Sequence, residues 1–340
     1  MLFYLKNGFF FLKIITLKRL SNIIKILTSY LFSKWFGRNL QWGFPLAIAI
    51  EPTTACNLQC PECPSGLKKF TRNTGNIKLE MFKKVVDEVY KQSLYLTFYF
   101  QGEPYIHPQF LEMVSYASSK NIYTTTSTNA HFIDSETAKK TVLSGLHRII
   151  ISIDGTTQDV YEQYRKGGSL EKVLEGTKNI LYWKKKLNRI YPLVYFQFLV
   201  VKPNEHQIDE IKKIAQQIGI NKILFKTAQL YQFQNGNPLM PENEKFSRYQ
   251  KTIQGTYQLK NKLRNHCWKL WHSCVITWDG NVVPCCFDKD AVHVMGSIAN
   301  DTLEKIWQSL AYNKFRNQLL HSRKEIDICK NCSEGTNIWA

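Results

Sequence analysis

No aspartate or glutamate occurs before Glu51, although Lys6, Lys13, Lys18, Arg19, Lys25, Lys34 and Arg38 fall in the same stretch. Long hydrophobic runs are missing too. Lysines interrupt each one short of the ~18 apolar residues that cross a bilayer, which excludes a membrane-spanning helix there. A cleavable signal peptide is not visible, so the expected compartment is the reducing cytoplasm. Internal repeats and low-complexity tracts are also lacking, which excludes solenoids and disordered linkers as the main architecture. What remains is a chain of 340 residues, 44% apolar, long enough for one large core plus an appendage. Its formal charge of +18 suits anionic partners without choosing among nucleic acid, phospholipid and phosphorylated substrates.

In residues 1–45, Leu17, Leu20, Ile24, Leu27, Leu31 and Trp35 recur at helical spacing and mark one apolar face. Two readings stand side by side. A basic amphipathic helix with aromatics lies in the headgroup plane of a membrane. Equally, such a helix packs on the neighbouring domain and turns its lysines to water.

From residue 46 to about 228, short apolar runs alternate with amphipathic stretches. Strands are expected at 46–52, 94–100, 122–127, 148–154, 193–201 and 222–227, and helices at 79–92, 108–120, 134–144, 169–186 and 205–218. That order implies parallel strands with helical crossovers, hence a complete or partial (β/α)6 TIM-like barrel. Chemistry in such folds sits at the carboxyl ends of the strands. Residues 229–266 read as a polar linker with some helix, and 267–340 as a small C-terminal cysteine-bearing domain.

Nine cysteines are unevenly placed. Cys56, Cys60 and Cys63 form a C-x3-C-x2-C loop directly after the first expected strand. Three thiolates in one loop hold three irons of a [4Fe-4S] cluster and leave the fourth open. A zinc site would more naturally present paired C-x2-C or Cys/His arms. Six more thiols follow: Cys267, Cys274, Cys285, Cys286, Cys329 and Cys332. Between the first and third of these, Thr277-Trp278-Asp279-Gly280-Asn281-Val282 has an Asp-Gly turn that favours a hairpin.

The first cysteine set resembles that of the radical S-adenosylmethionine (SAM) enzymes, although Glu62 stands where an aromatic often precedes the third cysteine. The resemblance implies that SAM chelates the open iron and is cleaved to a 5′-deoxyadenosyl radical, which abstracts a substrate hydrogen. Further motifs carry it. Gln101-Gly102-Glu103-Pro104 resembles the Gly-Gly-Glu motif that meets the SAM ammonium, with Gln in the first place. Ser127 and Asn129 resemble the polar cluster near the ribose and carboxylate, and Ser152 and Asp154 the Ser-Ile-Asp motif. Arg165 resembles the arginine that pairs with the SAM carboxylate.

The second cysteine set resembles the SPASM extension in its shorter "twitch" form. That implies one auxiliary [4Fe-4S] cluster on Cys267, Cys285, Cys329 and Cys332, with zinc as the alternative metal. Cys274 competes for a place in the set, and Cys286 is expected to be a buried small hydrophobe. The family further implies a low-potential electron donor such as ferredoxin or flavodoxin. The expected function is oxidation or another modification of a substrate C–H bond on a carbohydrate or lipid-linked small molecule. The alternative is a peptide or protein maturase. From another class, a non-catalytic Fe–S protein would bind nucleic acid through its positive surface, but intact SAM motifs speak against specific nucleic-acid binding.

Overall fold

The computed structural model describes residue 10 and residues 13–335, so Lys6 of the basic series lies outside it. Six short strands form as expected: β1 (Ala47–Ile50), β2 (Tyr95–Thr97), β3 (Tyr123–Thr128), β4 (Arg148–Ser152), β5 (Leu193–Val200) and β6 (Lys222–Thr227). All five successive pairs are parallel. Helices Leu79–Val89, Phe110–Ser119, Ser135–Leu143, Leu170–Lys186 and Ile208–Ile218 make the crossovers, close to the stretches read from periodicity.

Side chains alternate across the strands. Leu96, Ile149, Ile151, Val194 and Phe196 join the main core with helix residues such as Phe82, Val85 and Val114. The other face carries Tyr95, Tyr123 and Tyr195 around Arg148, whose guanidinium carbon lies 5.4, 5.7 and 5.4 Å from the three ring centres. Two to four residues further along those strands the same face presents Ser127, Ser152 and Gln197 to a cavity. An aromatic floor therefore lies at the amino ends and a polar mouth at the carboxyl ends.

The barrel is partial for a definite reason. Residues 267 onward return a strand, β9 (Ser273–Ile276), that pairs parallel with β1 from Ala47↔Ser273 to Ile50↔Ile276. With β10 (Asn281–Val283) and β11 (Gly296–Ser297) it extends one nine-stranded sheet, in the order β11-β10-β9-β1-β2-β3-β4-β5-β6. The edge of β1 that closure would need is thus already hydrogen-bonded. The expected Asp-Gly hairpin joins β9 to β10, with Gly280 at φ +87°.

Residues 229–266 contain no helix, contrary to the expectation. They form a hairpin of β7 (Tyr249–Lys251) and β8 (Tyr257–Leu259), turned at Gly255 with φ +85°. Leu230, Met240 and Tyr249 from this region pack on Leu58, Cys60, Tyr164 and Val201 over the cysteine loop. Scattered aromatics anchor the segment where helical periodicity is absent.

Helix α1 (Leu17–Phe36) packs on the body of the sheet domain through its polar side, burying Arg19, Asn22, Ile26, Ser29, Tyr30 and Ser33. Arg19 donates to the carbonyls of Ile14, Tyr90 and Asn121, and Asn22 bridges Phe44 and Gln92. Tyr30 bonds His266 Nδ1 at 3.0 Å and packs edge-on to Trp268 and Trp271. Specific acceptors on the body, rather than apolar area, decide which side faces inward.

Candidate active site

The cysteine loop leaves β1 and re-enters a short helix, Pro64–Leu67, for which Cys63 is the N-cap residue. Its tightness depends on Gly66: a Cβ there would lie 2.6 Å from the Cys60 nitrogen. The Cys63 amide bonds the Cys60 carbonyl at 3.2 Å, and the Leu58 amide donates to Cys56 Sγ at 3.5 Å. Burial pushes the Cys56 thiol up to about 12 and raises that of Cys60 as well. Such thiols bind as thiolates only when a metal compensates the charge. The donor set therefore fits an iron–sulfur cluster.

Gln101–Pro104 locks onto that loop. Gly102 has φ +74°, and a Cβ there would come within 2.3 Å of the Thr53 carbonyl oxygen. The Gly102 amide donates to Ser65 Oγ at 2.8 Å and the Glu103 amide to the Ala55 carbonyl at 2.7 Å. The buried Glu103 carboxylate accepts from Thr128 Oγ1, the Asn129 amide and the Tyr105 amide. Desolvation outweighs these bonds and lifts its pKa to about 7. A buried carboxylate held this way suits a cationic group such as the SAM ammonium.

Arg165 ends the helix Gln158–Tyr164, an element the periodicity did not show, and points back to the loop. Its Nε donates to Asp154 Oδ2 at 2.5 Å, and Nη1 lies 3.8 Å from Cys60 Sγ. Asp154 is fully buried, and its second oxygen accepts from the Leu199 amide at 2.6 Å.

Cys56, Cys60, Cys63, Gly102, Glu103, Ser127, Asn129, Ser152 and Arg165 line one cavity of about 290 Å³. Among the sequence-derived candidates for this site, Asp154 alone is not on its wall and stands behind Arg165. Sequence reasoning missed Gln197 and Leu199, which line the same space from β5, and Asn57, whose Oδ1 accepts from Asn129 Nδ2 at 2.7 Å. Asn57 lies inside the cysteine motif itself, a usable signal. Gln197 carried none.

The second thiol set gathers at the C-terminal end. Cys267, Cys329 and Cys332 are buried around Arg323, whose Nη2 lies 3.5 Å from Cys332 Sγ. That guanidinium also donates to the carbonyls of His266 and Glu334. Amides of Glu334 and Phe287 donate to the sulfurs of Cys332 and Cys285. Gly335 closes over Cys267, where a Cβ would fall 2.2 Å from the sulfur. Burial pushes the Cys329 thiol up to about 12 and raises those of Cys285 and Cys332. A buried cation and amide donors beside four thiols suit a thiolate-bound cluster.

The two remaining thiols depart from expectation. Cys274 sits on β9 in the main core, 2% exposed. It is the small hydrophobe. Cys286 is open to solvent-sized space, yet protein surrounds it closely enough that desolvation raises its pKa. Cys285 lies close enough to Cys267 and Cys329 to feel their charge, while Cys286, in the turn after β10, is exposed. The two oxygens of buried Asp288 accept from the amides of Val292 and His293.

Two polar bridges join the sites. Arg72 grips Glu51 with both nitrogens, at 2.8 and 2.6 Å, while its Nε donates to the Lys289 carbonyl. Glu51 also accepts from the Trp278 amide. Glu62 accepts from the Tyr231 amide, and Lys289 Nζ lies 3.2 Å from the Tyr231 hydroxyl.

Against this geometry, the Radical SAM superfamily model matches residues 50–213, and the iron-sulfur cluster-binding domain SPASM matches residues 267–333. The chain belongs to the radical SAM superfamily and carries a SPASM domain. Its cofactors are accordingly [4Fe-4S] clusters and SAM. The Mycofactocin maturase MftC of Mycobacterium tuberculosis is 27% identical over 175 residues, covering 52% of this chain and 43% of that relative. This radical SAM chain thus spans under half the length of MftC. A tungsten-containing aldehyde ferredoxin oxidoreductase cofactor-modifying protein of Pyrococcus furiosus is 24% identical over 310 residues, covering 78% and 82%. Among solved structures, Streptococcus suis SuiB bound to precursor peptide SuiA aligns at TM-score 0.61 and 15% identity, covering 85% of this chain and 70% of SuiB. That likeness supports the fold.

Proposed function

We propose that this radical SAM enzyme is a peptide-modifying maturase with one auxiliary cluster. The match to MftC across half of this chain carries the reading, and the fold it shares with peptide-bound SuiB agrees with it. A carbohydrate or lipid-linked small molecule, the substrate expected from the sequence, has less support than a peptide.

When bound, the catalytic cluster and SAM supply the radical that removes a substrate hydrogen. Cys56, Cys60 and Cys63 would hold the cluster. Gly102 and Glu103 would face the SAM ammonium, Arg165 its carboxylate, and Ser127, Asn129 and Ser152 its polar edge. Asp154 orients Arg165. Cys267, Cys285, Cys329 and Cys332 would hold the auxiliary cluster, an electron acceptor in a net two-electron oxidation. A low-potential donor such as ferredoxin or flavodoxin would reduce the protein. Glu103 is buried and hydrogen-bonded to β3, which fixes its position.

The test is anaerobic reconstitution with dithionite and SAM in the presence of a short peptide encoded beside the gene. A peptide lighter by two hydrogens, with matching 5′-deoxyadenosine, supports the proposal. If a nucleotide sugar or polyprenyl-linked sugar stimulates SAM cleavage and loses hydrogen while the peptide does not, the small-molecule reading replaces it.

A further inference from the structure

Helix α1 is amphipathic the wrong way round. Its body-facing side is Arg19, Asn22, Ser29 and Ser33 with Ile26 and Tyr30; of the apolar stripe, Leu27 and Leu31 are half-buried against the core, while Leu17, Leu20, Ile24 and Trp35 face outward. Leu17 is 88% exposed, Ile24 53% and Trp35 68%. At the helix end Phe32, Phe36 and Trp42 join Trp35 in one exposed aromatic group, with Phe32 and Phe36 stacked 5.8 Å apart. Water alone would not favour this arrangement, because isolated apolar side chains are ordinary on a surface but a contiguous patch marks an interface.

Charge identifies the occupant. Lys13, Lys18, Lys25, Lys34 and Arg38 are all exposed on or beside the same helix. The first acidic residue, Glu51, is fully buried and held by Arg72, so nothing acidic in this segment neutralises them. Lysines flanking a Leu/Ile/Trp stripe are the signature of a helix seated in a lipid headgroup layer, with aromatic rings at its level. A cleft of about 210 Å³ opens beside the stripe, with Lys18, Ser21 and Lys25 on one side and Trp42 on another. Glu304 at its edge leaves the pair of lysines in excess. Two ammonium groups over a cleft of this size suit a phosphate headgroup. Among the described residues no helix is long and apolar enough to cross a membrane, so the contact is peripheral.

We propose that the outward face of α1 is a docking surface for anionic lipid, and that the enzyme works at a membrane surface. This stands apart from the substrate reading. Truncating the helix cannot test it, because Arg19, Asn22 and Tyr30 hold the body together. Point variants of exposed residues can.

Reconstituted full-length protein is sedimented with phosphatidylglycerol/phosphatidylcholine vesicles and with phosphatidylcholine alone. Binding should require phosphatidylglycerol and fall as salt rises. Ile24→Glu with Trp35→Glu should weaken it by about tenfold or more, and Lys18→Glu with Lys25→Glu similarly. Both variants should keep parental iron content, SAM binding and melting temperature. Failure of the parent to sediment with phosphatidylglycerol overturns the proposal. So does parental vesicle binding by the Ile24/Trp35 variant. A parental dimer that this variant converts to monomer, with no lipid binding, would assign the face to a second copy instead.

Discussion

Arg165 and Asp154 form a buried pair whose guanidinium faces the cysteine loop, with Nε on Asp154 Oδ2 at 2.5 Å and Nη1 3.8 Å from Cys60 Sγ. The carboxylate is fully buried and serves no wall of the cavity, so its task is to aim the arginine. Asp154→Asn should leave an uncompensated cation. Breaking one side of a buried pair costs about 3–5 kcal/mol. Calorimetry should show a clear drop in melting temperature, and SAM affinity should fall by about tenfold or more, the equivalent of one charge-assisted hydrogen bond. A variant with parental SAM affinity would remove Asp154 from the site.

Glu103 makes SAM binding depend on pH. Its carboxyl, at about 7 in the unliganded protein, must ionise to face an ammonium group. The ligand's cation favours the charged form, so affinity is full above that pKa and declines as pH falls through it. Glu103→Gln should bind more weakly at high pH and lose the inflection near neutrality. Calorimetric titration across pH 6–8.5 reads both effects, the window being set by that pKa of about 7.

Iron content separates the thiol sets. Reconstituted protein should hold about eight irons per chain from two four-iron clusters. Changing Cys56, Cys60 and Cys63 to Ala together should leave about four and abolish SAM cleavage. Cys285→Ala should lose the auxiliary half, whereas Cys286→Ala and Cys274→Ala should keep it. Four irons with zinc making up the balance in the parent would mean that the second set is a zinc site.

Glu51 and Arg72 tie the end of β1 to Trp278 and Lys289. Arg72→Met should strand a buried carboxylate and cost about 3–5 kcal/mol in unfolding free energy. Adding Glu51→Leu should recover most of it, because a well-packed apolar pair replaces such a bridge at little cost. Urea titration of the single and double variants measures the recovery.

Much of this was legible in the sequence. The alternation of apolar runs with amphipathic stretches gave six parallel strands, because those patterns are local and a strand buried on both faces needs continuous apolar residues. The C-x3-C-x2-C loop and the strand-end motifs were legible because cluster and SAM chemistry demand fixed residue types at the carboxyl ends of strands. Tertiary structure alone decided the rest. Pairing of β9 with β1, which leaves the barrel open, joins segments far apart in the chain and is set by which edge is free. Asp154 was placed with the SAM contacts by its motif, yet only the fold shows Arg165 standing between it and the cavity. Cys274 lies on β9 with its side chain in the core and Cys286 in the exposed turn after β10, a difference that their spacing does not show. Helix α1 was the sharpest case. Periodicity located its apolar face, but its direction was settled by buried acceptors at Phe44, Tyr90, Gln92 and Asn121, which outcompete apolar area for the polar side of the helix.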